Sequence, residues 1–198
     1  MLLSVDDIRE DIERPTGKKE YNIIFVGMSN FGKTYWSDLL AKAFGYEHVQ
    51  FDELIDASPE IKKFIEGKDG AERMGKWFGM SWEPGFQKKE DRFLEVEEGF
   101  MSEDYGPGVV LDLTGSSIYV PEQLERLART GLVINLGSTE EAQGQIIEAN
   151  LSDYVNNPKS VCWNGNFNQK TRGIRSRCFK KMLSRASCFE SCTVQAVW

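Results

Sequence analysis

Gly27-Met28-Ser29-Asn30-Phe31-Gly32-Lys33-Thr34 follows the apolar run Tyr21-Asn22-Ile23-Ile24-Phe25-Val26 without a break. The spacing is G-x-x-x-x-G-K-[ST], set between a β-branched strand pattern and a helical pattern, as a phosphate-binding loop requires. A helix start carries unpaired backbone N–H groups and a partial positive charge. Glycines at 27 and 32 let the backbone wrap phosphate oxygens without a Cβ in the way. An ordinary glycine-rich turn would explain those glycines, but not Lys-Thr at the mouth of the helix. The loop, Gly27, Met28, Ser29, Asn30, Phe31, Gly32, Lys33 and Thr34, with Tyr35 after it, is therefore read as the phosphate cradle. Lys33 is expected to reach the β- and γ-phosphates, and the Thr34 hydroxyl to ligate Mg²⁺.

Working outward, Trp36, Leu39, Leu40, Ala43 and Phe44 fall at helical spacing and are expected to form core, with Gly45 as a left-handed cap. A second strand is read over Glu47 to Phe51, ending at Asp52. A helical region follows from about Glu60 to Met101, broken at Gly67–Gly70 and at Pro84-Gly85. Gly108 to Leu113 reads as a third strand, and Pro121 to Thr130 as a helix stopped by Gly131. Leu132 to Leu136 reads as a fourth strand, and Ser138-Thr139-Glu140-Glu141 as the capped start of another helix. A last helix is expected over Arg175 to Glu190 and an edge strand over Thr193 to Trp198. Residues 1–20 read as a polar extension.

Strands alternating with helices predict an α/β fold in three layers, a central parallel sheet with helices on both faces. A chain of 198 residues suits one domain over 21–198. Ligands in such folds bind beyond the carboxyl ends of the strands. Thr34, Asp52, Asp112 and Gly115 all fall at those ends.

Asp112 closes an apolar strand, where a carboxylate can orient a metal against Thr34; the plain alternative is a turn-initiating Asp before Thr-Gly. Asp52 stands where a carboxylate could accept an acceptor's hydroxyl proton; a helix N-cap is the alternative, and the roles are compatible. The net charge of −7 disfavours nucleic acid as a partner. No apolar run approaches the ~20 residues that cross a bilayer. The acidic start (Asp6, Asp7, Glu10) is unlike a signal or transit peptide, so the expected setting is cytoplasmic. Cys162, Cys178, Cys188 and Cys192 form no C-x-x-C pair, and one His cannot complete a zinc set, so thiols are expected. Residues 159–185 carry Lys and Arg and no acidic residue, a charge asymmetry suited to closing over a triphosphate or to a solvated helix face.

The order of these landmarks resembles shikimate kinase and its relatives among the nucleoside-monophosphate kinases, over roughly residues 20–198. Ile24-Phe25-Val26-Gly27-Met28 with Gly32-Lys33-Thr34 is similar to the family's loop, and Phe51-Asp52-Glu53-Leu54-Ile55 to the end of its D-x-D strand. Thr114-Gly115-Ser116 with Val120-Pro121-Glu122 resembles its glycine-triplet turn. Arg185-Ala186-Ser187-Cys188-Phe189-Glu190 resembles its R-x-P-x-Y-x-E. The resemblance implies the P-loop kinase fold, ATP and Mg²⁺ as cofactors, a small-molecule acceptor, a monomer, an acceptor-binding insert over 56–101 and a lid over 153–175. It also implies Asp52, Gly115 and Arg185 as acceptor ligands; with the reading of the residues above, Lys33 and Asp52 are the expected catalytic groups and Thr34 and Asp112 the expected metal ligands.

The departures lie on the acceptor side. Gln50 replaces the first Asp of D-x-D, and Thr114 and Ser116 flank Gly115 where glycines are usual. In Phe93-Leu94-Glu95-Val96-Glu97, Leu94 holds the place of an Arg; Arg92 is adjacent but on another side of the helix. The expected activity is ATP-dependent phosphoryl transfer to a hydroxyl of a small polar acceptor, with shikimate the leading candidate. The alternatives are a kinase for another small acceptor and a nucleotide-binding regulatory protein with little turnover.

Overall fold

The computed structural model describes residues 10, 13, 19–29, 31–62, 74–75, 77–79, 83–137 and 162. The polar extension (apart from scattered residues), Asn30, the lid, Arg185, the Ser138 helix, the last helix and the final strand all lie outside the described residues.

The described elements run β1 (Asn22–Val26), α1 (Lys33–Phe44), β2 (Glu47–Gln50), α2 (Phe51–Ala57), α3 (Pro59–Lys62), α4 (Phe86–Met101), β3 (Val109–Asp112), a 3₁₀ turn (Ser117–Tyr119), α5 (Pro121–Ala128) and β4 (Gly131–Asn135). The four strands form one parallel sheet in the order β2-β3-β1-β4. The register pairs Phe25 with Asp112 and Asp112 with Gln50, so three strands end at one level. The loops leaving that level build the candidate site.

Alternation along the strands feeds two cores. Ile24, Val26, Val109 and Leu111 face one side, with Phe51, Met101, Val120 and Leu127 packed on them. Ile23, Phe25 and Val110 face the other, with Ala41, Tyr46 and partly buried Leu40. Helical residues thus cover both faces, and the three-layer α/β arrangement around a parallel sheet expected from the sequence is the arrangement observed among the described residues. β1 and β3 are buried along their whole length, as near-continuous apolar strands of a parallel sheet should be.

The chain clusters into two compact units. Among the described residues, 19–55 and 97–136 belong to the first, which contains the whole sheet, and 56–96 to the second. The second has its own aromatic centre: Phe78 is fully buried and meets Phe86 and Phe93 edge-on, at ring separations of 5.6 and 5.3 Å. Pro84-Gly85 forms the turn before α4, as expected. Arg92 pairs with Glu95 at 2.8 Å on an exposed side of α4.

Four local expectations need correction. Trp36, Leu39 and Phe44 are 51%, 45% and 41% exposed and Ala43 is exposed too, so that stripe is not core. The sheet-facing side of α1 is instead Lys33, Ser37 and Ala41, flanked by Leu40; small residues let the helix lie against the strands, and periodicity alone does not say which stripe faces in. β2 ends at Gln50, because fully buried Phe51 turns under the sheet and opens α2; Asp52 therefore sits in a helical first turn rather than at a strand tip. α5 ends at Ala128, and Gly131 opens β4 instead of stopping the helix. The β3 run is shorter than read, Val109–Asp112. Gly45, by contrast, caps α1 in the left-handed region (φ 72°) as expected, its N–H on the Ala41 carbonyl at 2.9 Å.

Gly131 has a packing reason. It stands beside Asn22 in the β1–β4 register, and a Cβ there would run into the Asn22 backbone. Asn22 is itself a buried tie: its side chain donates to the Gly106 carbonyl (2.8 Å) and accepts from the Val109 N–H (3.0 Å), while its N–H meets the Thr130 carbonyl (3.1 Å). The Gly131→Ala variant is expected to lose about 2 kcal/mol or more by chemical denaturation, with an unchanged m-value, because β4 must shift to admit the methyl.

Candidate functional site

The loop after β1 turns at Gly27 (φ 133°) and reaches the mouth of α1 through Gly32 in the left-handed region (φ 81°). That conformation delivers Lys33 as the first helical residue, buried on the sheet side. Its Nζ donates to the Met28 carbonyl at 3.1 Å, so the ammonium lies over the loop. The Trp36 N–H closes the first turn on the Gly32 carbonyl at 3.0 Å, leaving the earlier N–H groups at the mouth directed out of the helix. Tyr35 is 65% exposed and stacks edge-on with Trp36 at 5.2 Å. Asn30 lies outside the described residues.

Asp112 is 5% exposed at the end of β3. Burial pushes its carboxyl above the usual range, against the pull of hydrogen bonds from the Thr34 and Ser37 hydroxyls and the nearby charges of Lys33 and His48. Thr34 and Asp112 are thus brought together. Their donor set is hard oxygen, which fits Mg²⁺. Among the described residues no group of three or more His, Cys, Asp and Glu is arranged around a common point. A magnesium ion there would keep water and phosphate among its ligands, as that metal prefers.

Asp52 keeps a solvent-facing surface in the first turn of α2. Its carboxyl is raised by the surrounding protein; Lys33 opposes the rise and Asp112 adds to it. Lys33, Asp52 and Asp112 therefore share one electrostatic neighbourhood. Gly115 sits in the turn after β3, and a Cβ added to it would come within 3.2 Å of the Ser29 N and Oγ. The turn rests on the phosphate loop, and a side chain at 115 would press into it. Arg185 lies outside the described residues.

Glu97, near the end of α4, was missed in the sequence reading. It is fully buried and accepts from Ser116 Oγ at 2.6 Å and from Thr114 Oγ1; the two hydroxyls are 2.8 Å apart. Thr114 and Ser116, expected to project toward an acceptor, are instead buried against this carboxyl. Burial raises the Glu97 carboxyl from 4.5 to about 7, with Asp52 adding to the rise and the two hydroxyls and Lys33 opposing it. The available signal was the pair Phe93…Glu97 together with hydroxyls at both flanks of Gly115. Ser37 and His48 were also not assigned; neither has a motif of its own.

No family model and no curated protein matches the chain. Solved structures do. A shikimate kinase from Acinetobacter baumannii, in complex with shikimate, is 21% identical, with 91% of this chain and 94% of that one covered at a TM-score of 0.46. The shikimate kinase of Aquifex aeolicus is 14% identical, covering 88% and 99% at 0.43. That of Bacteroides thetaiotaomicron is 15% identical, covering 86% and 98% at 0.37. Among the described residues, no helix is long and apolar enough to cross a membrane.

Glu97 gives a prediction with a definite sign. Its folded value lies above the ordinary 4.5, so between pH ~4.5 and ~7 the native state holds more protons than the unfolded state. Stability contributed by the neutral carboxyl is present below that window and is lost as pH rises through it. Glu97→Gln should remove this dependence: relative to wild type, its unfolding free energy should rise by up to about 3 kcal/mol between pH 4.5 and 8. Urea unfolding across that range measures it.

Proposed function

We propose that the protein is an ATP-dependent phosphotransferase that moves the γ-phosphate to a hydroxyl of a small polar acceptor. The observation that carries the reading is the convergence of Lys33, Thr34, Asp112 and Asp52 at one end of the sheet, beside a loop whose glycine conformations open it to phosphate. The loop amides and Lys33 hold the phosphates and spread the charge that develops on transfer. Thr34 and Asp112 would hold Mg²⁺, which would supply positive charge against the phosphates. Asp52, raised above an ordinary carboxyl, orients the acceptor hydroxyl and takes its proton; a base with a raised value is better matched to a reaction near neutral pH. Gly115 presents its backbone beside the loop, and Arg185 clamps an acceptor anion as a planar fork suits. A lid within 153–175 excludes water. The setting is cytoplasmic and the working form a monomer.

Shikimate is the leading acceptor. A second reading, a kinase for another small acceptor, draws on Glu97: with Thr114 and Ser116 turned onto a buried carboxyl, the turn after β3 has a different polarity from a run of bare glycines. A nucleotide-binding protein with little turnover is the third reading, and the raised Asp52 speaks against it.

The test is ADP release from Mg-ATP with and without shikimate. Wild type is expected to be stimulated, and Lys33→Met to be silent. Asp52→Asn should retain nucleotide binding and lose at least about 100-fold in kcat, the scale of a lost general base. Unchanged kcat in Asp52→Asn would remove its acceptor role. Nucleotide binding without stimulation would remove shikimate and direct the assay to other hydroxyl acceptors.

A further inference from the structure

Gly115 stands between two hydroxyls, and both are fastened to one buried acid. Glu97, one turn before the end of α4, accepts from Ser116 Oγ at 2.6 Å and from Thr114 Oγ1. The turn is also closed on itself. The Ser116 N–H meets Thr114 Oγ1 at 3.2 Å, and Ser117 Oγ donates to the Thr114 carbonyl at 2.9 Å. Thr114, Ser116 and Ser117 are all buried, where such bonds are strengthened by the low local dielectric.

Gly115 faces the phosphate loop. A carbon added to it would stand 3.2 Å from the Ser29 N and Oγ and 3.7 Å from the Gly27 carbonyl oxygen. Its φ is not positive, so the reason for glycine here is the closeness of the loop and not the backbone conformation. The other flank of the loop's start is main chain: the Leu136 N–H donates to the Val26 carbonyl at 2.9 Å, and a side chain at Gly27 would strike the Leu136 carbonyl. Residues 27–29 therefore run between the exits of β4 and β3. On the β3 side, main-chain bonding to β1 reaches the Leu113 N–H, on the Phe25 carbonyl at 3.1 Å. Past it, among the described residues, the hydrogen bonds that tie Thr114 and Ser116 to another element are those on Glu97.

An apolar side chain would fill the place of Glu97 without the cost of burying a carboxyl. What it would lack is direction, two acceptor oxygens aimed at the two flanks of one glycine. We propose that Glu97 is a positioning residue for the phosphate loop: by fastening Thr114 and Ser116 it seats Gly115 against Ser29, and so holds the loop in its phosphate-binding shape. This rests on the nucleotide reading above and adds to it a residue that touches neither nucleotide nor metal. A nest of backbone N–H groups binds an anion only while its donors converge, so the support behind it sets the affinity.

The experiment is calorimetric titration of ADP in EDTA, with a thermal melt of each protein, for wild type, Glu97→Gln, Glu97→Leu, Ser116→Ala and Gly115→Ala. Glu97→Gln is expected to stay within about twofold of wild type, since its amide can accept from one hydroxyl and donate to the other. Glu97→Leu is expected to bind ADP about tenfold more weakly, the scale of one lost hydrogen bond to a charged group. Ser116→Ala, which leaves Thr114 on the acid, should lose about threefold. Added to Glu97→Leu it should cost less than about twofold more, because the two act as one unit. Gly115→Ala keeps the acid and both hydroxyls and presses on Ser29 directly, so it too should weaken binding. A Glu97→Leu protein that melts lower yet binds ADP as wild type does has lost only stability, and overturns the proposal. Full additivity of Ser116→Ala with Glu97→Leu, or unchanged binding in Gly115→Ala, overturns it as well. Should Glu97→Leu fail to fold, Ser116→Ala and Gly115→Ala decide the matter. Wild type that binds no ADP removes the nucleotide reading together with this inference; wild-type binding with unaffected variants removes only the role of Glu97.

Discussion

A carboxylate buried at the end of a central strand is the constraint on which the first unit depends. Asp112 is 5% exposed, flanked on both sides by strands in register with it. A charge in that position is tolerated only when donors and cations surround it. The sequence places those partners one helical turn apart: Lys33 and Thr34 at the mouth of α1, Ser37 below them. This requirement explains why the sheet-facing side of α1 is polar and small near its start and apolar only from Leu40 and Ala41 onward. The large apolar residues Trp36, Leu39 and Phe44 lie on the exposed side of α1, a distribution opposite to that of an ordinary amphipathic helix.

The second buried carboxylate obeys the same physics with different neighbours. Glu97 has hydroxyls for partners and stands near Asp52 as well as Lys33. Hydroxyls can donate but carry no charge, and a neighbouring carboxylate works against ionisation. Asp112 has Lys33 and His48 as well as two hydroxyls acting against the rise of its carboxyl. Burial raises both carboxyls, and Lys33 opposes the rise in each. Asp52 lies between them electrostatically, in contact with solvent and influenced by Lys33 and Asp112 alike.

What the sequence made legible follows from the range of the interactions concerned. The phosphate loop is written in eight consecutive residues, and the parallel sheet in apolar strands separated by helical patterns; both are local signals. The face that α1 buries is not local. Trp36, Leu39 and Phe44 have the right spacing for a core stripe, and so do Ser37 and Ala41; the sheet selects the second set because of the charge it must accommodate. Asp52 was found, but its place in α2 depended on Phe51 leaving the strand to fill the core, which no nearest-neighbour pattern announces. Glu97 went unnoticed because its partners are 17 and 19 residues away, on another element. Ser37 and His48 likewise meet only once β2 is laid beside β3.

The buried side of α1 has a further consequence. Ser37 and Ala41 are short, and they form the surface on which the helix rests against β3 and the sheet beside it. The helix is seated there, with its positive end at the phosphate loop. A larger side chain at either place would act as a wedge, tilting the mouth of the helix relative to Asp112 while leaving every residue of the loop intact. Changes in nucleotide affinity can therefore arise from residues that never meet the nucleotide, and loops identical in sequence need not hold phosphate equally well.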